Sequence, residues 1–260
     1  MMISRVFVCC VVACVLAAVL AAQSTSSTLI QGLLPPDAMT VEIADLRAVA
    51  GMERLLVLWM QSPKQEVRGP DAAYCGDAVY GDNWVGPTRL SLVDPVNRKL
   101  LNTIDILGPA FSRDAADSFR LPFWVGNYYY HVPQMNAKRE GKPTILYLRD
   151  LTGEGVAAEF VLFMHGACGI AETGVFGYQK QSDRVVPYLV EVQDGSGRPK
   201  VEQWVSQIFA RKPISPGHWD FTWEPGHGAD STIHEQVSFD KVRQLFLEKQ
   251  KITPNPGTAK

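Results

Sequence analysis

The sequence contains few of the motifs that identify an enzyme or a nucleic-acid-binding protein. It has no G-x-S-x-G, G-x-x-x-x-G-K or H-E-x-x-H pattern, so the common serine-hydrolase, phosphate-binding and zinc-protease sites have no motif in it. It has no run of lysine and arginine and its formal net charge is −2, which argues against a nucleic-acid groove. The remaining features concern export, β-structure and metal ligands.

Long apolar runs are confined to the start of the chain. The segment MMISR supplies a short positive region, and VFVCCVVACVLAAVLAA ends in small residues before Gln23. This layout predicts a secretory signal peptide over 1–22, cleaved between Ala21 and Thr25, and hence a secreted or periplasmic protein. An uncleaved anchor is the alternative, because the run is close to the roughly 17 residues that a spanning helix needs. No later segment is long and apolar enough to span a membrane.

The rest of the chain is poor in cysteine. Three of the five cysteines fall in the predicted leader, which leaves Cys75 and Cys168. Two cysteines in an oxidising compartment most simply form a disulfide. Closing so long a loop would contribute on the order of 4–5 kcal/mol in the chain-entropy model. Two buried free thiols are the alternative.

Apolar runs of strand length dominate the sequence after the leader. The run at 54–61 predicts a buried strand, and the segments 88–107 and 174–193 each predict a β-hairpin around a cluster of turn residues. Further strands are predicted at 218–224 and 231–239. We therefore expect a mainly β fold of antiparallel, blade-like sheets, arranged as a partial or small propeller or as a twisted β-sandwich.

A helix is predicted near the end of the chain, in SFDKVRQLFLEKQ (238–250). There Ser238 can cap the first turn, and Val242, Leu245 and Phe246 share one face at helical spacing. This pattern adds a short C-terminal helix to the expected fold.

The predicted domain organisation is simple. A flexible linker at 23–37 follows the leader, a single all-β domain covers 38–252, and a disordered tail occupies 253–260. A short helical segment is also predicted at 112–119, inside the domain.

Histidine and carboxylate side chains cluster in HWDFTWEPGHGADSTIHE. The candidates are His218, Asp220, His227, His234 and Glu235. Side chains of these types that converge across a hairpin can bind zinc or serve as general acid and base. The alternative is two ordinary strands with polar faces and a Gly-His-Gly turn between them.

Aromatic residues are concentrated in LPFWVGNYYYHVP (121–133). If Trp124 and Tyr129 are exposed on the β scaffold, they can stack on sugars or anchor a partner protein. Strand alternation in this stretch would instead bury some of the aromatic rings in the core.

A glycine turn lies between two apolar runs in YLRDLTGEGVAAEFVLF. Acidic and hydroxyl side chains occupy alternate positions of that turn, and a further carboxylate enters the second run. Over 144–163 the pattern resembles the calcium loop of FG-GAP repeats, the integrin-α-type, VCBS-like family, in which D-x-[DN]-x-D-G-x-x-D lies between two strands. The alternative is a tight turn in which Gly153 and Gly155 adopt positive φ.

The resemblance implies a ligand set and a cofactor. Asp150, Thr152 and Glu154 would supply side-chain oxygens, Val156 a backbone carbonyl, and Glu159 the closing carboxylate. The implied cofactor is calcium, bound weakly, since extracellular calcium sites often have dissociation constants of about 10⁻⁴–10⁻³ M.

Two functions follow as hypotheses. The first is a non-catalytic binding or interaction module whose partner is an extracytoplasmic protein or a glycan. The alternative is a secreted hydrolase that uses the histidine and carboxylate cluster at 218–235.

Overall fold

A computed structural model describes residues 30, 32–68, 81–108, 119–124, 145–165, 171–195, 197–225 and 229–255. The predicted leader and the region 112–118 lie outside these residues. Among the described residues, no helix is long and apolar enough to cross a membrane.

The described chain is mostly β-strand, which confirms the predicted fold class. The strands are β1 (Ala38–Asp45), β2 (Leu55–Gln61), β3 (Lys64–Arg68), β4 (Gly81–Gly86), β5 (Thr88–Asp94), β6 (Lys99–Ile106), β7 (Phe119–Trp124), β8 (Glu159–His165), β9 (Ala171–Gln179), β10 (Arg184–Tyr188), β11 (Val190–Gln193), β12 (Lys200–Glu202), β13 (Val205–Ser206), β14 (His218–Trp223), β15 (Ser231–Asp240) and β16 (Leu245–Pro254). The described helices are short: α1 (Arg47–Ala50) and a 3-10 turn (Ile208–Ala210).

The first sheet has the order β1-β2-β5-β6, with every pair antiparallel. Its strand β2 is the apolar run predicted at 54–61, and all its residues from Leu55 to Met60 are buried. Alternate side chains pack into two different clusters. Leu56 and Leu58 join the largest core, while Val57 and Trp59 join a smaller one. A strand that is covered on both faces is therefore apolar throughout.

Three further sheets complete the described fold. In the second sheet β9 pairs with β8, β10 and β13, and a smaller sheet has the order β3-β4-β7. The third sheet has the order β12-β11-β16-β15-β14, in which β11 and β16 run parallel. Its inner face carries Trp219, Val237 and Phe246, which pack into a second core. Phe246 lies 4.9 Å from the ring of Phe209, measured between centroids.

The first three sheets each contain a hairpin with the same four-residue turn. The turns are 95–98 between β5 and β6, 180–183 between β9 and β10, and 241–244 between β15 and β16. The last residue of each turn has positive φ: 48° at Arg98, 48° at Asp183 and 55° at Gln244. This repetition confirms the hairpins predicted at 88–107 and 174–193 and agrees with the expected blade-like sheets.

Side chains connect the three turns to one another. The Arg54 guanidinium donates to the Asp183 carboxylate at 2.8 Å and forms an ion pair with Asp94 at 3.2 Å, which links the first and second turns. Gln179 donates to Gln244 at 2.8 Å, which links the second and third turns. We call residues 95–98, 180–183 and 241–244 the turn face.

The predicted helix at 238–250 is wrong, because this segment forms the third hairpin. The Asp240 carboxylate accepts hydrogen bonds from the N–H groups of Val242 and Arg243, which closes a turn. Phe246 is buried, whereas Val242 is 93% exposed, so these two residues do not share a buried face. Pairing of β16 with both β15 and β11 overrides the local helical pattern.

Candidate functional site

The carboxylate of Asp150 organises the glycine turn that follows it. It accepts hydrogen bonds from the N–H groups of Gly153 at 2.7 Å, Glu154 at 3.1 Å and Gly155 at 3.0 Å. Both glycines have positive φ, 73° and 84°, as the sequence predicts for a tight turn. An aspartate that accepts several N–H groups of its own turn is a general device for fixing a short loop.

Glu159 closes the same loop from the first position of β8. Its side chain is buried, and its Oε2 atom accepts from the N–H of Leu151 at 2.8 Å and of Thr152 at 3.4 Å. The pKa of Glu159 is raised to about 8, chiefly by burial; the two N–H groups lower it, and the nearby charges of Asp150 and Glu154 add to the rise. The loop therefore places a third carboxylate close to two others.

The loop is attached to neighbouring segments as well. Lys241 donates to the carbonyl of Gly153 at 2.9 Å, and Gln244 donates to Glu154 at 3.2 Å. A Cβ placed on Gly153 would lie 2.7 Å from the carbonyl oxygen of Pro216, so the loop backbone packs directly against the backbone at Pro216 and Gly217. The loop 150–155 is thus joined to the third turn of the turn face.

The predicted calcium ligands share one loop but are already engaged in hydrogen bonds. The carboxylates of Asp150 and Glu159 accept hydrogen bonds from backbone N–H groups, and the Thr152 hydroxyl lies 3.5 Å from Glu159 Oε2. Val156 is half-buried in the same loop. Across the described part of the chain, no three His, Cys, Asp or Glu side chains lie close enough to hold a metal ion as arranged. Carboxylate, hydroxyl and carbonyl oxygens are nevertheless the donor class that calcium takes, so calcium binding stays a prediction.

The histidine cluster divides between the two faces of the third sheet. His234 Nε2 and Asp220 Oδ1 are 2.7 Å apart, and Gln236 donates to Asp220 Oδ2 at 2.9 Å, all on the solvent side. These two contacts hold the pKa of Asp220 below its ordinary value. His218 is exposed at the start of β14. Glu235 is buried on the opposite face, so the structure does not bring it to the His234–Asp220 pair.

The other predicted site residues lie at or beyond the limits of the described chain. Trp124 is the last residue of β7. Tyr129, His227, Cys75 and Cys168 are outside the described residues, and the disulfide and the aromatic binding site remain predictions.

A pair of buried glutamates on the third sheet was not predicted as a unit. Glu235 Oε1 accepts from the indole N–H of Trp223 at 2.7 Å, and Gln250 donates to Glu248 Oε1. The Oε2 atoms of both glutamates are buried and have no hydrogen-bond partner among the described residues. We call Glu235 and Glu248 the glutamate pair.

Strand alternation offers a signal for this pair. Glu235 shares the parity of Val237 and Phe239 on β15, and Glu248 that of Phe246 on β16, so a correct strand assignment places both carboxylates inward. The helix predicted over 238–250 concealed this parity for Glu248. Comparison of the chain with protein-family models, with curated proteins and with solved structures found no match.

Proposed function

We propose that the protein is an exported, non-catalytic binding module, in which the loop 150–155 takes up calcium weakly and the ion stiffens the turn face. One observation carries the proposal: the loop 150–155, which Glu159 closes from β8, is bonded to the third turn through Lys241 and Gln244. An ion held by the loop would therefore act on the position of that turn.

The chemistry of the loop supports a weak site. Calcium takes six to eight oxygen ligands at about 2.3–2.6 Å, and the loop offers three carboxylates, a hydroxyl and backbone carbonyls. Asp150 and Glu154 each raise the pKa of Glu159 through their charge, so their negative charges lie near it, and calcium would have to displace the proton that Glu159 holds near neutral pH. The existing hydrogen bonds must adjust for the ion to enter, which is a reason to expect low affinity.

The turn face supplies a surface for a partner. Val96 at the first turn is 70% exposed and Val242 at the third is 93% exposed, although both are apolar. Exposed side chains on rigid hairpin turns suit recognition of an extracytoplasmic protein or a glycan. Trp124 and Tyr129 belong to the same proposal as aromatic contact residues.

Calcium titration tests the proposal. Millimolar calcium should raise the melting temperature of the wild-type protein, and Asp150→Ala should abolish the rise. Asp240→Ala is the matched control, because Asp240 also accepts two N–H groups of a turn but lies outside the proposed ligand set. Its melting temperature should still respond to calcium.

The binding role needs a separate measurement. Immobilised glycans, peptidoglycan and candidate extracytoplasmic proteins are screened with and without calcium, using wild type and the Trp124→Ala and Tyr129→Ala variants. Capture that calcium strengthens and either variant weakens supports the proposal. A titration with no heat and no stabilisation at about 10⁻² M calcium contradicts the calcium part.

The alternative, a secreted hydrolase, is favoured by the 2.7 Å contact between His234 and Asp220. A carboxylate that holds a histidine is a common way to orient a general base. Hydrolysis of ester or glycoside substrates that is lost in His234→Ala but kept in His218→Ala would favour this function over the binding module.

A further inference from the structure

Apolar and aromatic residues lie beside the glutamate pair on three neighbouring strands of the third sheet. In the strand register, Glu248 lies opposite Val237 on β15 and opposite Val192 on β11. Glu235 lies opposite Phe221 on β14. Both glutamates are almost completely buried, with 0% and 1% of their surface exposed. Ionised carboxylates in such surroundings are strongly unfavourable unless something compensates the charge.

Hydrogen bonding compensates only half of each carboxyl group. The Trp223 indole donates a hydrogen bond to one oxygen of Glu235, and the Gln250 amide donates one to an oxygen of Glu248. The Oε2 atoms receive no donor from the described chain. A buried acceptor without a donor is costly, and the cost is greater when the acceptor carries a charge.

The charges that face the pair are mostly negative. Glu202 on β12 and Glu172 on β9 both act on Glu248, as does Glu235 itself. Arg211, which follows the 3-10 turn and lies with its guanidinium 5.6 Å from the ring of Phe221, is the positive group that acts on Glu235. Glu172 is itself engaged by the Ser206 hydroxyl at 2.6 Å. The surrounding charges therefore disfavour ionisation of Glu248 most strongly.

The ligand that fits these atoms must be very small. Both Oε2 atoms are shielded from solvent, so a hydrated metal ion or an organic cation cannot reach them without opening the sheet. No three acidic side chains of the described chain are grouped for a metal ion either. A proton needs no room and converts each carboxylate into a neutral group that can also donate.

We propose that Glu235 and Glu248 form a proton-binding pair, uncharged in the folded protein, which makes the stability of the third sheet depend on pH. Burial raises the pKa of Glu235 to about 7 and that of Glu248 to about 8, from an ordinary value of 4.5. The folded state therefore binds more protons than the unfolded state between these limits. The stabilisation is complete below pH 4.5 and is lost progressively as the pH rises, up to about pH 7 for Glu235 and about pH 8 for Glu248.

Denaturant unfolding from pH 5 to pH 9 in calcium-free buffer tests the proposal. Each group contributes up to about a tenfold fall in the folding equilibrium constant per pH unit within its window. Wild type should lose stability from pH 5 to about pH 8 and then level off, and the double variant E235Q/E248Q should lose clearly less over the same range. Glu224→Gln, an exposed change beside β14, is the matched control and should follow wild type. Other buried groups, such as Glu159, contribute equally to all three proteins.

Carboxyl-carbon NMR of the wild-type protein provides a measurement that needs no variant. The Cδ resonances of Glu235 and Glu248, assigned through the backbone, should remain at the protonated position at pH 6. The proposal is overturned if both have titrated fully below pH 5.5, or if E235Q/E248Q folds and keeps the full pH dependence of wild type. If the double variant does not fold, the resonances alone decide.

Discussion

Two regions of this molecule bury glutamate, and they differ in how they hydrogen-bond its carboxyl group. In the loop 150–159, Glu159 is buried but accepts from two backbone N–H groups. On the third sheet, Glu235 and Glu248 are equally buried, yet each leaves its Oε2 atom without a donor in the described structure. Burial is the first cause of the raised pKa in all three cases.

The difference lies in the backbone around each carboxyl group. A tight loop leaves N–H groups unused by strand pairing, and Glu159 supplies the acceptor that those groups lack. Within a continuous sheet the backbone N–H groups are paired with neighbouring strands, so none is free for Glu248. We infer that Glu159 is needed by its loop, whereas the glutamate pair is tolerated by its sheet.

The largest effect should come from Glu159→Leu. This change removes the acceptor for the buried N–H groups of Leu151 and Thr152, and we expect a loss of about 3–5 kcal/mol in unfolding free energy. Glu159→Gln keeps one acceptor oxygen and should cost about 1 kcal/mol. Urea unfolding monitored by circular dichroism measures both. Equal losses in the two variants would show that the hydrogen bonds do not carry the effect.

The next effect concerns the loop backbone. Gly153→Ala combines a φ of 73° with a Cβ only 2.7 Å from the Pro216 carbonyl oxygen, and we expect a loss of about 2–4 kcal/mol. Gly155→Ala is the matched control, since its φ is 84° but nothing lies within 4 Å of the new Cβ. It should cost about 1–2 kcal/mol. If both variants lose the same amount in urea unfolding, the close packing against Pro216 contributes nothing.

A smaller effect is expected from Asp150→Ala in calcium-free buffer. The three N–H groups that Asp150 serves lie in a partly exposed loop where water can replace the carboxylate, so we expect a loss of about 1–2 kcal/mol. Asp150→Asn, which keeps one acceptor oxygen, should lose less. Thermal unfolding in the presence of a chelator measures both, and an unchanged melting temperature in Asp150→Ala would contradict the assigned role.

The sequence predicts the elements that local signals determine and misses the hairpin that depends on a distant strand. Continuous apolar runs and turn residues identify β2 and the hairpins around 95–98 and 180–183, because those signals are local. The sequence predicts a helix in place of the third hairpin because KVRQLF has helical spacing. Its β-structure depends on pairing with β11, whose sequence lies more than 50 residues earlier.

The candidate site is predictable only where local residues determine its structure. The turn at 150–155 follows from its glycines and from Asp150, which act on neighbouring residues. The burial of Glu248 depends on Val192 and Val237 in two other strands, so the parity that Glu248 shares with Phe246 becomes a signal only once the segment is assigned as a strand. The sequence also groups His234 with Glu235, which strand alternation then separates to opposite faces.

The smallest effect, and one of opposite sign, is expected from Glu248→Leu. Leucine has a similar size, matches the apolar neighbours Val192 and Val237, and removes the Oε2 acceptor that has no donor, although it also removes the Oε1 acceptor of the partly exposed Gln250 amide. At pH 8, which is close to the pKa of this group in wild type, we expect stability to rise by up to about 1 kcal/mol. Urea unfolding at that pH measures the effect. Glu159→Leu is measured in parallel, so that the same substitution is compared in both regions. A loss above about 2 kcal/mol in Glu248→Leu would mean that the hydrogen bonding of this carboxyl group outweighs the cost of its burial, and the contrast with Glu159 would fail.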